Sequence, residues 1–167
     1  GVVAWSNTSG HSWKRSIFQE RSRPLLDVTS FRTTAGAIYV LVTTDKGEVF
    51  SILLTSLHRC STLPSIQCWT RIYTNNGLRL NSVFASKQGV AIAVGKGTSI
   101  YKSINATSTP FTSWNSINSN MSVEAPVLNG VSSFDGIVFI AVGTGGLILR
   151  SADKGATWST IESNTKM

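Results

Sequence analysis

Four tryptophans set the ruler for this chain. Trp13, Trp69, Trp114 and Trp158 stand 56, 45 and 44 residues apart, and each is followed within four residues by an isoleucine: Ile17, Ile72, Ile117 or Ile161. Upstream of each lies a serine, Ser6, Ser51, Ser103 or Ser151. Splitting the repeats at that serine separates a constant part from a variable one. From tryptophan to the next serine the chain runs 38, 34 and 37 residues, whereas from serine to tryptophan it runs 7, 18, 11 and 7. Self-similarity at about 40–50 residues belongs to propellers and solenoids, whose units cannot bury their apolar faces alone and must stack.

The constant part reads as three strands. Each repeat has a short apolar strand around Leu26–Phe31, Leu80–Phe84 and Leu128–Phe134, then a more continuous run in Ile38–Val42, Val90–Val94 and Ile137–Val142, and then a glycine turn into a third strand. Runs this brief, rich in β-branched residues and bounded by glycine, read as strands covered on both faces. The strand after the tryptophan makes a fourth. The expected fold is all-β: a β-propeller of four-stranded antiparallel blades with almost no α-helix. Residues 1–167 are expected to form one domain, with an outer hairpin alone in 1–18 and whole blades in 19–73, 74–118 and 119–163. Because propellers typically close with about 4–8 blades, three and a half imply part of a larger ring.

The fourth repeat carries Ser151-Ala152-Asp153-Lys154-Gly155-Ala156-Thr157-Trp158. An aspartate at a tight turn accepts bonds from the following backbone, Gly155 tolerates positive φ, and Trp158 returns as an apolar anchor. This segment resembles the Asp-box, or BNR repeat, of sialidase-type and related β-propellers, a superfamily that includes sortilin-like receptors and lumenal photosystem assembly factors. The resemblance implies a structural role for Ser151, Asp153, Gly155 and Trp158. Degenerate boxes match it in part. The first keeps Ser6, Gly10 and Trp13 but has Thr8 at the aspartate place; the third keeps Ser103 and Trp114 with Asn105 there; the second retains only Trp69 behind an insertion. That insertion holds both cysteines, Cys60 and Cys68, which are expected to form a local disulfide, with two buried free thiols as the alternative. The resemblance also prompts a comparison with sialidases, but Phe31-Arg32 is followed by Thr33-Thr34 rather than Ile-Pro, and the eight carboxylates are dispersed.

Charge and composition narrow the functional classes. Fifteen Lys and Arg against eight Asp and Glu leave a net charge of +7, yet charged residues are only 14% of the chain. Nucleic-acid binders carry dense basic runs interleaved with aromatics, and none is present. Lys14, Arg15, Arg21 and Arg23 form the densest basic segment, a candidate patch for an acidic protein or glycan. No apolar run approaches the ~20 residues of a membrane-spanning helix. Neither cysteine has metal-ligand spacing, His11 and His58 have no partner pattern, and Gly143-Thr144-Gly145-Gly146 precedes a strand where a phosphate cradle needs a helix, so no metal or cofactor is expected. Sequons at Asn7, Asn105 and Asn120, with the cysteine pair, point to a secreted, lumenal or cell-surface setting. The expected function is a noncatalytic propeller module that binds or scaffolds protein or glycan, its partners being other chains or remaining blades. A fragment of a sialidase-like glycoside hydrolase and a structural subunit of a large assembly are the alternatives.

Overall fold

A computed structural model describes residues 1–18, 23–57, 68–75, 77–104, 111–117 and 126–162. Fourteen strands are present among them. A hairpin of β1 (Val2–Trp5) and β2 (Lys14–Ile17) comes first. Three four-stranded antiparallel meanders follow. The first comprises β3 (Leu25–Arg32), β4 (Ile38–Thr44), β5 (Glu48–Leu53) and β6 (Thr70–Thr74). β7 (Leu80–Ala85), β8 (Val90–Gly95), β9 (Ile100–Ile104) and β10 (Trp114–Ile117) make the second. The third consists of β11 (Leu128–Ser133), β12 (Phe139–Gly143), β13 (Ile148–Ser151) and β14 (Ser159–Ile161). The α-helical content described is one turn, α1 (Leu54–Leu57), leading into the insertion.

Alternation along the second strand of each sheet explains why the sheets stack. Val40 and Val42 on β4 face the hairpin, sharing a core with Val3, Phe18, Phe50 and Trp69, whereas Leu41 faces the next sheet with Val83, Ala91, Ala93 and Tyr101. On β8 the alternation continues: Ala91 and Ala93 look back, and Val90, Ile92 and Val94 look forward onto Leu128, Phe139 and Leu149. All six residues of β8 are buried, as a strand covered on both faces requires. The small alanines leave room for the aromatics around them, Phe31 from the facing sheet and Tyr101 and Phe111 from their own repeat. Each fully buried Val, Ile or Leu contributes about 1.5–3 kcal/mol relative to an exposed one, so neighbouring sheets supply most of one another's stability.

The sheets approach one another most closely along their first strands, β3, β7 and β11. A β-bulge marks the start of each, between Leu25 and Asp27, Leu80 and Ser82, and Leu128 and Gly130. These bulges realign the repeats. Leu25, rather than Leu26, is equivalent to Leu80 and Leu128, because the bulge inserts one unpaired residue after it. The bulged ends are stitched across sheets. Asp27 Oδ2 accepts from the Ser82 hydroxyl at 2.7 Å and the Val83 N–H at 2.9 Å; Ser82 Oγ in turn accepts from Val131 N–H at 3.3 Å, and Asn81 Nδ2 donates to Leu128 O at 2.8 Å.

Each tryptophan of the ruler precedes or opens the last strand of its sheet and looks toward the sheet before its own. Trp69 packs on Phe18, Trp114 on Tyr73, and Trp158 against the core that includes Ile92. No described sheet precedes β1–β2, and there Trp13 is 65% exposed while Trp69 is 9% exposed. At the opposite end Val142 and Ile161 are also exposed, on the face of the third sheet that no described sheet covers.

Candidate functional site

The β13–β14 turn is held by its own side chains. The Ser151 hydroxyl donates to Asp153 Oδ1 at 2.7 Å and accepts from Gly155 N–H at 2.9 Å. Asp153 Oδ1 also accepts from the N–H groups of Ala156 and Thr157 at 3.0 and 2.8 Å, and Oδ2 accepts from the Thr157 hydroxyl at 2.6 Å. Those Thr157 bonds, then the Ser151 hydroxyl, hold the Asp153 carboxyl well below the usual carboxylate range. Trp158 Nε1 donates back to Gly155 O at 3.2 Å. Gly155 has φ +76°, and a Cβ there would lie 2.5 Å from Ile92 Cδ1 in the neighbouring sheet, so both conformation and space favour glycine. The side-chain oxygens of Ser151 and Asp153 are spent on this turn, while the Lys154 N–H ties it to the β11–β12 turn by donating to Ile137 O at 2.9 Å.

The β1–β2 turn uses the same plan with weaker groups. Ser6 Oγ accepts from Thr8 N–H and Gly10 N–H at 3.2 and 2.9 Å, and Thr8 Oγ1 accepts from Ser12 N–H at 2.8 Å. Asn7 is exposed on this turn. In the second sheet the buried Ser103 donates to Ser113 O at 2.5 Å, ten residues away, so this serine closes a longer arm. Asn105, Asn120, Cys60 and Arg21 lie outside the described residues; Cys68 packs against the core that contains Trp69.

The structure separates the basic segment of the sequence. The Lys14 ammonium sits 5.3 Å from the Trp5 ring centroid, an intrachain cation–π contact. Arg15 is exposed on the same outer strand. Arg23 instead pairs with Glu48, which is buried, and Arg71 reaches the other oxygen of that carboxylate at 3.2 Å. Nearby, burial pushes the Tyr73 phenol well above its ordinary range, and the adjoining Tyr101 adds to the effect.

A different set of residues meets at the turns after the first strands. Between the β3–β4, β7–β8 and β11–β12 turns lies an open groove of about 450 Å³ whose lining includes Phe31, Arg32, Ile38, Phe84, Lys87 and Phe134. No described carboxylate lines it. Phe134 is fully exposed at its edge, an unusual place for a phenyl ring. The turn that presents it is rigidly tied: the Ser133 hydroxyl donates to Val138 O at 2.6 Å and accepts from Gly136 N–H at 2.8 Å, and Asp135 Oδ1 accepts from the N–H groups of Ile137 and Val138. Those two backbone donors hold the Asp135 carboxyl below its ordinary range. Arg32 Nη1 reaches Gly36 O at 3.3 Å, leaving the rest of its guanidinium fork at the exposed end of β3. Arg32 and Lys87 are 55 positions apart in the chain, and sequence reading passed over the pair. Counting from the bulges, however, places them at equivalent positions of successive repeats.

No protein-family model matches the sequence, and no curated protein does. Solved structures do. The structure of YCF48 from Cyanidioschyzon merolae aligns with a TM-score of 0.63 at 17% identity, over 100% of this chain and 52% of that one. A structure described as YCF48 bound to D1 peptide aligns with a TM-score of 0.58 at 15% identity, over 89% of this chain and 43% of that one. The fold is that of a β-propeller. This chain spans about half the length of those relatives in fold, and at such identities the likeness establishes architecture rather than activity.

Proposed function

We propose that this chain is a noncatalytic β-propeller module that binds an extended segment of another protein in the groove at the turns after its first strands. The observation that carries the reading is Phe134, held fully exposed by a hydrogen-bonded turn at the edge of a groove that three sheets build together. Exposed aromatics on rigid supports are characteristic anchors of protein interfaces. Two further facts support it. A fold relative was solved with a peptide bound. Of the six described carboxylates, Asp27, Glu48, Asp135 and Asp153 are engaged in structural hydrogen bonds or ion pairs, which leaves these four poorly placed for paired acid–base chemistry. On this reading the eight-residue turn at Ser151–Trp158 is an Asp-box that serves folding, and exposed Trp13 and Val142 meet further blades.

Panning a displayed library of random peptides against the chain, with counter-selection on Phe134→Ser, tests the proposal. Peptides that bind the native protein and release from the variant are expected. If no peptide distinguishes the two, or if the protein hydrolyses any of a panel of glycosides, the reading fails. We place the module in a secreted, lumenal or cell-surface setting, on the strength of the cysteine pair and the sequons. Protection of Cys60 and Cys68 from alkylation without reductant, and a mass lowered by endoglycosidase, are the expected results for protein from its native source. Unmodified sequons with two alkylatable thiols would contradict the placement.

A further inference from the structure

We propose that the groove takes an acidic segment in which carboxylates alternate with apolar side chains, the acids meeting Arg32 and Lys87 and the apolar groups resting on Phe134, Phe84 and Ile38. This rests on the reading of the groove as a polypeptide site and names the chemistry of its occupant. The groove carries two exposed cations from successive sheets and no carboxylate among its described lining residues. The nearest acid in the chain that follows Phe134 is Asp135, at the next repeat's equivalent of Lys87, and its charge is turned into its own loop by the Ile137 and Val138 N–H groups. The floor is apolar where the rim is basic, since Phe31 and Ala85 are buried beneath it. Arg32 offers a fork of donors that matches a carboxylate, while Lys87 is a flexible point charge, so the pair can grip acids of varied spacing. A chain of net charge +7 also favours acidic partners by long-range attraction. The β7–β8 and β11–β12 turns approach closely at this point: a Cβ on Gly136 would lie 2.3 Å from the Gln88 side-chain oxygen and 2.7 Å from Ser86 Cβ.

The test uses the whole chain and two fluorescein-labelled octapeptides, Gly-Asp-Phe-Glu-Leu-Asp-Glu-Gly and its counterpart with every acid replaced by Lys. Fluorescence anisotropy is expected to show the acidic peptide binding at least tenfold more tightly at low salt. The preference should shrink toward unity as salt is raised. Lys87→Glu and Arg32→Gln should each weaken the acidic peptide severalfold, and together should reverse the preference, with far-ultraviolet dichroism unchanged. Phe134→Ser should weaken both peptides. Equal binding of the two peptides, or an acidic preference untouched by both charge variants, overturns the proposal while leaving a polypeptide site standing. Panned peptides that need Phe134 yet are basic or neutral would do the same. No binding of either octapeptide, together with an unproductive library, would remove the site itself.

Discussion

Asp27 is the carboxylate on which the sheet-to-sheet stitch depends, and replacing it with alanine should uncouple the first meander from the second. Its Oδ2 accepts from Ser82 Oγ at 2.7 Å and Val83 N–H at 2.9 Å, and Val83 is 3% exposed. A hydrogen bond to a charged group contributes about 1.5–3 kcal/mol, and a buried N–H left without an acceptor costs about 1–3 kcal/mol. Because Asp27 itself is half-exposed, the low end of each range applies, giving a loss of about 2–3 kcal/mol for Asp27→Ala. For a chain of this size 1 kcal/mol moves Tm by about 2–4 °C, so a drop of about 4–12 °C is expected. Asp27→Asn keeps one acceptor oxygen and should lose about half as much. A double-mutant cycle with Ser82→Ala should return a coupling energy of about 1 kcal/mol or more, since the two groups touch. Amide exchange supplies the local readout. Val83 N–H should lose protection in Asp27→Ala, and Val131 N–H, which donates to Ser82 Oγ, should follow in part. A Tm within about 1 °C of the native value, with Val83 still protected, would refute the claim that this stitch couples the sheets.

Other perturbations are equally specific. Glu48→Ala removes the shared partner of Arg23 and Arg71 from a buried site, and thermal unfolding should register a loss of about 3 kcal/mol, the low end for a broken buried pair because both arginines can reach water. Gly95→Ala places a Cβ 2.0 Å from Arg79 O, a backbone atom that cannot swing aside, and should lose at least about 2 kcal/mol; Gly97→Ala, whose Cβ meets nothing within 4 Å but whose φ is +67°, should lose only about 1 kcal/mol. Denaturant titration of the two variants checks the order, and equal losses would show that the close approach is unimportant. Asp153 has its folded-state carboxyl held low, so its stabilisation is fully present above the ordinary carboxylate range and fades as pH falls below about 4. Exchange of the Ala156 and Thr157 amides measured from pH 7 to pH 2, corrected for intrinsic rates, should show protection falling in acid, and Thr157→Val should move that fall to higher pH.

Much of the architecture was legible in the tryptophan spacing, because a period-two apolar pattern repeated every 44–56 residues leaves few ways to keep both faces of each strand dry. Val40, Leu41 and Val42 illustrate it: adjacent residues feed opposite cores, so the run must be a strand between two neighbours. The Ser151–Trp158 turn was legible too, since the bonds made by the Ser151 and Asp153 side chains that close it all lie within eight residues. Arg23 was not. Its proximity to Arg21 and Lys14 in the chain suggested a patch, but the sheet register carries it to Glu48, 25 residues on.

By itself the sequence determined the strand count per repeat, the hairpin turns and the two-faced burial, because each depends on residues a few positions apart and on a side-chain period of two. Only the tertiary structure decided which side chains meet between repeats. The bulges at Leu25–Asp27 and Leu80–Ser82 set the phase of each first strand, and that phase puts Asp27 on Ser82 and brings Arg32 and Lys87 to one groove. A one-residue change of phase sends every side chain of a strand to the opposite face, so contacts between sheets depend on register that no local pattern specifies.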